Sequence, residues 1–241
     1  MLGKLLKYDL AKFKTISLFY LIAPVLAFVT RLMNGIDNKS VAIVVLDKFV
    51  SGITIGILIG VAVNIVMRLF VNFDLSLYGD ESYLTHTLPV KRGTLYTSKA
   101  LTGLIVTVYA YAIILLSAWI VTKGVFASPI TETRVALLLA FVQAVCILFT
   151  VYLGIILGNR KNTHKKLFSI LYSVGIYMAA QIVVFLIVLA VDGGIVLSNL
   201  DAEPSPILLK LVIALTVVYA IYAAVLYVLG KKALEKGVNV N

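Results

Sequence analysis

The chain has 241 residues, of which 61% are hydrophobic and only 13% are charged. Soluble domains have roughly 45–50% apolar and about 25% charged residues, so this composition excludes a water-soluble globular protein. The net charge of +10 does not indicate nucleic-acid binding, because the basic residues flank apolar runs in small clusters and form no basic domain face.

Residues 1–14 are predicted to form an amphipathic helix that lies on the membrane surface. Leucines recur at helical spacing from Leu2 to Leu10, whereas Lys4, Lys7 and Lys14 fall on another face. The alternative interpretation is a merely basic N-terminus that orients insertion of the first span.

Six apolar runs follow, each of about the 20 residues that a spanning helix requires. They lie at 15–34, 50–71, 96–121, 134–157, 167–191 and 207–230. The predicted fold class is therefore all-α: a polytopic membrane protein with six transmembrane helices, forming one transmembrane domain over residues 1–241. We expect it in the plasma membrane.

The distribution of basic residues predicts that both termini are cytoplasmic. Cytoplasmic segments of membrane proteins are enriched in lysine and arginine. Alternate segments of this chain share that enrichment and hold 15 of its 21 basic residues. These are Lys4, Lys7, Lys12, Lys14, Arg68, Lys91, Arg92, Lys99, Arg160, Lys161, Lys165, Lys166, Lys231, Lys232 and Lys236.

The longest polar stretch begins at residue 74, between the second and third spans, and we place a candidate docking segment at 74–95. Glu81 to Leu88 could form two turns of helix, which Pro89 would stop, and Gly79 and Asp80 would form the turn before it. A short helix held between two spans would offer a docking surface. An ordinary solvated loop is the alternative.

Glycines recur every four residues in the second span, at Gly52, Gly56 and Gly60. Small residues at this spacing let helix backbones approach closely. We interpret the three glycines as a packing ridge, either within the subunit or across a dimer.

Three uncharged polar residues lie inside predicted spans: Asn64, Gln143 and Gln181. They could line a translocation path, or they could form hydrogen bonds between helices. No acidic residue is central in a predicted span, whereas ion-coupled carriers usually place titrating groups there. If the protein moves a solute uphill, the energy is therefore expected to come from a partner.

No catalytic or metal-binding motif is present. Gly154 to Gly158 is followed by Asn159 and does not form a Walker A motif, and neither HExxH nor GxSxG occurs. Cys146 is the single cysteine and lies in an apolar run. We therefore predict no catalytic residue and no metal site, and we do not expect this chain to be an enzyme.

Two segments resemble the permeases of type-2 ABC exporters. Residues 78–99, YGDESYLTHTLPVKRGTLYTSK, are similar to the first cytoplasmic loop of that family, with an acid, a hydrophobic-Thr-Leu stretch, Pro-Val, a basic residue and a later lysine. The opening MLGKLLKYDL looks like the start of many small Firmicute permeases of this kind.

This resemblance implies that the loop helix is a coupling helix that docks in a groove of a separate ATPase subunit. The docking residues implied are Asp80, Glu81, Tyr83, Leu84, His86, Leu88 and Pro89. The resemblance also implies that ATP and Mg are bound by the partner ATPase, so this chain would bind no cofactor.

The function expected from the resemblance is that of the transmembrane subunit of an ATP-driven exporter. Two such subunits, identical or paralogous, would form a path for an amphipathic peptide, such as an antimicrobial peptide, or for a hydrophobic compound. The alternative is a non-transporting immunity or scaffold protein that binds a peptide or partner. An ATP-independent carrier is disfavoured because acids are missing from the centres of the spans.

Overall fold

A computed structural model describes residues 2–36, 40–79, 81–87, 89–122, 131–161, 163–192 and 206–236, and within these ranges every regular element is a helix. The predicted all-α class is confirmed. In chain order the helices are α1 (Leu2–Ala11), α2 (Lys14–Tyr20), α3 (Ile22–Asn34), α4 (Val41–Leu77), α5 (Ser82–Thr87), α6 (Arg92–Thr122), α7 (Thr131–Gly158), α8 (Lys165–Asp192) and α9 (Pro206–Glu235).

Six helical segments are long and apolar enough to cross a membrane, as predicted. They are Lys14–Asn34, Val41–Leu77, Arg92–Thr122, Arg134–Gly158, Lys165–Ala190 and Leu209–Glu235. The chain is thus a multi-pass membrane protein by length and composition, and its orientation stays a prediction. At 1.5 Å per residue α4 is about 55 Å long, so it extends well beyond a hydrocarbon core of about 30 Å.

The first span is broken at Leu21, between α2 and α3, because Pro24 lacks an N–H and its ring clashes with the carbonyl four residues earlier. The Leu21 N–H bonds instead to the Leu18 carbonyl at 3.2 Å. The Ser17 carbonyl accepts a hydrogen bond from the Tyr109 hydroxyl of α6 at 2.9 Å. The break is therefore compensated by a bond from another helix.

The described helices belong to two compact units. The first comprises Met1–Leu69 and Leu101–Pro129, and the second comprises Phe70–Ala100 and Ile130–Asn241. The unit boundaries cut α4 and α6, so the ends of these helices that flank α5 group with α7, α8 and α9.

In the first unit, hydrogen bonds between polar side chains connect the first span with α4. The Thr30 and Thr54 hydroxyls lie 2.9 Å apart, and the Tyr20 hydroxyl donates to Asn64 Oδ1 at 3.0 Å. Residue numbers rise along one helix as they fall along the other, so the two helices are antiparallel.

The helix predicted within 1–14 is confirmed over Leu2–Ala11; its location at a membrane surface stays a prediction.

In the second unit, α7 packs closely on α8 through glycines. A Cβ added at Gly154 would lie 2.8 Å from the Ser173 backbone nitrogen, and a Cβ added at Gly158 would collide with the backbone nitrogen of Ser169. The two glycines are four residues apart on α7, and the two serines are four residues apart on α8. Small residues therefore face small residues over one helical turn. Such contacts let helix backbones approach one another in lipid.

We expect Gly158→Ala to destabilise the protein by about 1–3 kcal/mol, because the added methyl group must displace the α8 backbone. Gly175→Ala is the matched control, since a Cβ at Gly175 on α8 meets nothing within 4 Å. Thermal unfolding in one detergent measures both. Equal melting temperatures for Gly158→Ala and the wild type would contradict the α7–α8 contact.

Candidate functional site

A tight turn ends α4 and leads towards the candidate docking helix. The backbone N–H groups of Tyr78 and Gly79 both donate to the Asp74 carbonyl, at 2.8 and 3.1 Å. A Cβ at residue 79 would lie 2.9 Å from the Leu75 Cα, so only glycine fits this close approach without a shift of the backbone.

The short helix predicted between the second and third spans is confirmed as α5. Ser82 is only 9% exposed, whereas Tyr83 is 76% exposed, so the helix has a covered side and a side that presents an aromatic ring. The Glu81 carbonyl accepts the Thr85 N–H at 3.0 Å, which forms the first helical hydrogen bond.

The structure describes the other predicted docking residues to different extents. Asp80 and Leu88 lie outside the described residues. Leu84 and His86 belong to the α5 backbone, but their side chains lie outside the description. Pro89 is exposed in the bend after α5. The assignment of these residues to docking stays a prediction.

An aromatic cluster connects four helices of the second unit, including the ends of α4 and α6 that flank α5. It consists of Phe73 on α4, Tyr96 on α6, Phe149 and Tyr152 on α7, and Tyr227 on α9. Phe73 stacks on Tyr152 at 4.0 Å between ring centroids and meets the edge of Tyr96 at 6.3 Å. Tyr227 lies 5.6 Å from both Tyr96 and Phe149. Such pairs contribute about 0.5–1.5 kcal/mol each beyond the area they bury.

Two glycines bring α6 and α9 together beside this cluster. Tyr96 is fully buried, and a Cβ at Gly230 would collide with its hydroxyl and ring. A Cβ at Gly93 would collide with the Glu235 carboxylate, which therefore lies over the first turn of α6. A negative charge is favourable there, because unpaired N–H groups give a helix N-terminus a partial positive charge.

Polar side chains join the same helix ends. Asn159 Nδ2 donates to Asp74 Oδ1 at 3.3 Å, and Arg160 donates to the Ala233 carbonyl at 2.6 Å. Ala233 lies in the last turn of α9, where carbonyls have no helical partner. Burial raises the pKa of the nearby Tyr78 well above its usual value, and the positive charge of Arg160 partly opposes this increase.

The three predicted path-lining residues are divided between the units. Asn64, in the first unit, accepts hydrogen bonds from Tyr20 and Arg68. In the second unit, Gln181 Oε1 accepts from the Tyr219 hydroxyl at 3.4 Å, and Gln143 is part-buried on α7. Asn64 and Gln181 thus bond between helices, as one of the two interpretations requires. The path-lining role stays a prediction.

The predicted ridge of Gly52, Gly56 and Gly60 does not pack against the described part of its own chain. A Cβ at any of the three would meet nothing within 4 Å. Packing of the ridge, within the subunit or across a dimer, stays a prediction. Close packing instead occurs at Gly154 and Gly158.

Sequence reasoning missed several features because helices extend beyond their apolar cores. Helix α4 begins at Val41 rather than near residue 50, so Asp47 lies inside it and is only 6% exposed. Lys99, one of the basic residues predicted to be cytoplasmic, lies in α6 with only 5% of its surface exposed. The aromatic cluster gave no distinct periodic pattern.

Among the described residues, no group of three or more His, Cys, Asp or Glu could hold a metal ion.

No protein-family model, curated protein or solved structure matches the chain. The six apolar helices in the described part of the chain fit a membrane transport protein.

Alkaline pH provides a test of the raised pKa of Tyr78, which is part-buried. An unfolded tyrosine ionises at about pH 10, whereas the raised pKa keeps the folded one protonated. Its contribution to stability is complete below about pH 10 and falls by about 1.4 kcal/mol per pH unit above it, because only the unfolded chain loses the proton.

We therefore expect Tyr78→Phe to lose less stability than the wild type between pH 9 and 11, as measured by thermal unfolding in detergent. Tyr83→Phe removes an exposed hydroxyl and serves as the control. If Tyr78→Phe and the wild type lose stability in parallel, folding does not raise the pKa of Tyr78.

Proposed function

We propose that this chain is the transmembrane permease subunit of an ATP-driven exporter and that α5 docks on a separate ATPase subunit. One observation carries the proposal: a short helix with an exposed tyrosine connects two spanning helices, and aromatic rings join the ends of those two helices to α7 and α9. Such a helix can receive a force from a soluble partner and pass it to the spans.

The proposed contact surface is the exposed side of α5, centred on Tyr83. Tyrosine is enriched among the residues that dominate protein interfaces, since its ring gives a large contact area at a low entropy cost. The opposite side, which includes Ser82, is covered by the protein. A partner could therefore bind Tyr83 without rearrangement of the helix.

The proposed route of coupling runs from α5 to α7 and α9. The flanking ends of α4 and α6 hold Phe73 and Tyr96, which contact Tyr152 on α7 and Tyr227 on α9. Closely packed rings transmit displacement because packed interiors have low compressibility. Movement of α5 would therefore shift the ends of α7 and α9 and change access to the path.

In this proposal, two permease subunits, identical or paralogous, form the path, and two ATPase copies bind ATP and Mg. The cargo is an amphipathic peptide or a hydrophobic compound, in keeping with the apolar helices. Both termini and α5 face the cytoplasm, as the basic residues indicate.

Purification from native membranes in a mild detergent tests the proposed function. The chain should copurify with a soluble subunit that contains a Walker A motif, and it should stimulate the ATPase activity of that subunit in lipid. If the purified chain binds a peptide with no ATPase attached and stimulates none, it is instead an immunity or scaffold protein.

Substitutions in and beside α5 test the docking surface. We expect Tyr83→Ala to weaken ATPase association at least tenfold, because truncation removes the exposed ring, and Glu81→Arg to weaken it further by reversing a charge at the helix start. Tyr8→Ala on α1 is the matched control, since Tyr8 is 64% exposed.

Pull-down of the ATPase at several concentrations measures the association. Size-exclusion profiles and melting temperatures should show that every variant is inserted and folded. Undiminished association of both α5 variants would place the docking site elsewhere on the chain.

A further inference from the structure

An arginine stands on the outer surface of the first unit, held by a small polar network. Arg68 Nε donates to Asn64 Oδ1 at 3.1 Å, and the Tyr20 hydroxyl donates to the same oxygen at 3.0 Å. Tyr20 is buried, whereas Arg68 and Asn64 are exposed. Only Nε is used in this bond, and among the described residues no hydrogen bond uses the two terminal guanidinium nitrogens.

The surroundings of Arg68 are apolar. Val63, Met67 and Val71 on the same helix are 58%, 59% and 46% exposed, as expected for a surface that faces lipid. Within the described part of the chain, the hydrogen bonds of Arg68 are limited to Asn64, and no carboxylate forms an ion pair with it. A guanidinium on an apolar membrane surface needs a counter-anion, because the charge is poorly solvated there.

The packing of the first unit gives the depth of this arginine. The pairs Thr30–Thr54 and Tyr20–Asn64 align the first span with α4 in antiparallel register. One turn from Asn64 to Arg68 therefore corresponds to one turn from Tyr20 back towards Lys14, where α2 begins. Arg68 thus lies level with the start of the first apolar segment, Lys14–Asn34.

We propose that Arg68, oriented by Asn64 and Tyr20, binds the phosphate of an anionic phospholipid headgroup, such as phosphatidylglycerol. The planar guanidinium can donate two parallel hydrogen bonds to phosphate oxygens. Asn64 holds it in one orientation, so less conformational freedom is lost on binding. The lipid reaches the site laterally, past Val63 and Met67, with its acyl chains along the apolar face of α4. This site is independent of the docking surface on α5.

Native mass spectrometry of the detergent-solubilised chain tests the site by titration with phosphatidylglycerol or phosphatidylcholine. Arg68→Gln should weaken binding of the first phosphatidylglycerol about tenfold and leave phosphatidylcholine unchanged. Asn64→Ala frees the guanidinium and should weaken binding by a smaller factor, with Tyr20→Phe smaller still. Lys48→Gln, which removes an exposed charge from the same helix, should have no effect.

Two further measurements distinguish a bound lipid from other anions. Glycerol phosphate has the same phosphate chemistry without acyl chains, so it should compete only at concentrations at least 100-fold above the lipid. Equal competition would assign the site to a soluble anion and overturn the lipid proposal. A shift of the monomer–dimer equilibrium in Arg68→Gln, with unchanged lipid affinity, would also overturn it and assign the arginine to an acidic residue of a second copy.

Discussion

Helices in lipid gain little by burying apolar surface against one another, because the acyl chains are equally apolar. Association then depends on close packing and on hydrogen bonds between helices. Both appear within the units: Gly154 and Gly158 admit the backbone of α8, and the Thr30 and Thr54 hydroxyls bond across the first unit. The many exposed leucine, isoleucine and valine side chains need no protein partner under this constraint.

The same constraint explains how polar side chains are used. A polar group inside a span finds a partner on another helix or, like the Thr107 and Ser117 hydroxyls, on a carbonyl of its own helix; otherwise it bears the cost of desolvation. Tyr109 bonds to the carbonyl at the break in the first span, and Tyr219 bonds to Gln181. Asn64 serves two donors with one oxygen. Its role is to fix Tyr20 and Arg68 relative to each other, which a sequence pattern of isolated polar residues cannot reveal.

The sequence predicted six spans and the short helix between two of them, because apolar length and a proline stop are local signals. It could not predict which faces meet. Gly52 to Gly60 and Gly154 to Gly158 have the same four-residue spacing, yet among the described residues a Cβ on the first set meets nothing within 4 Å, whereas a Cβ on the second set meets α8. The helices also extend beyond the predicted apolar runs, since Asp47 interrupts the apolar sequence but not the backbone hydrogen bonding of α4.

Charge counting identified Arg160 only as a signal of orientation. In the folded chain its guanidinium binds the Ala233 carbonyl, where the end of α9 carries partial negative charge. A cation used in this way contributes less to the surface offered to a partner. Exposed Tyr83 therefore remains the better candidate for contact with an ATPase. Asn159 bonds to Asp74 near the end of α4 that leads to α5, and Arg160 bonds to the last turn of α9.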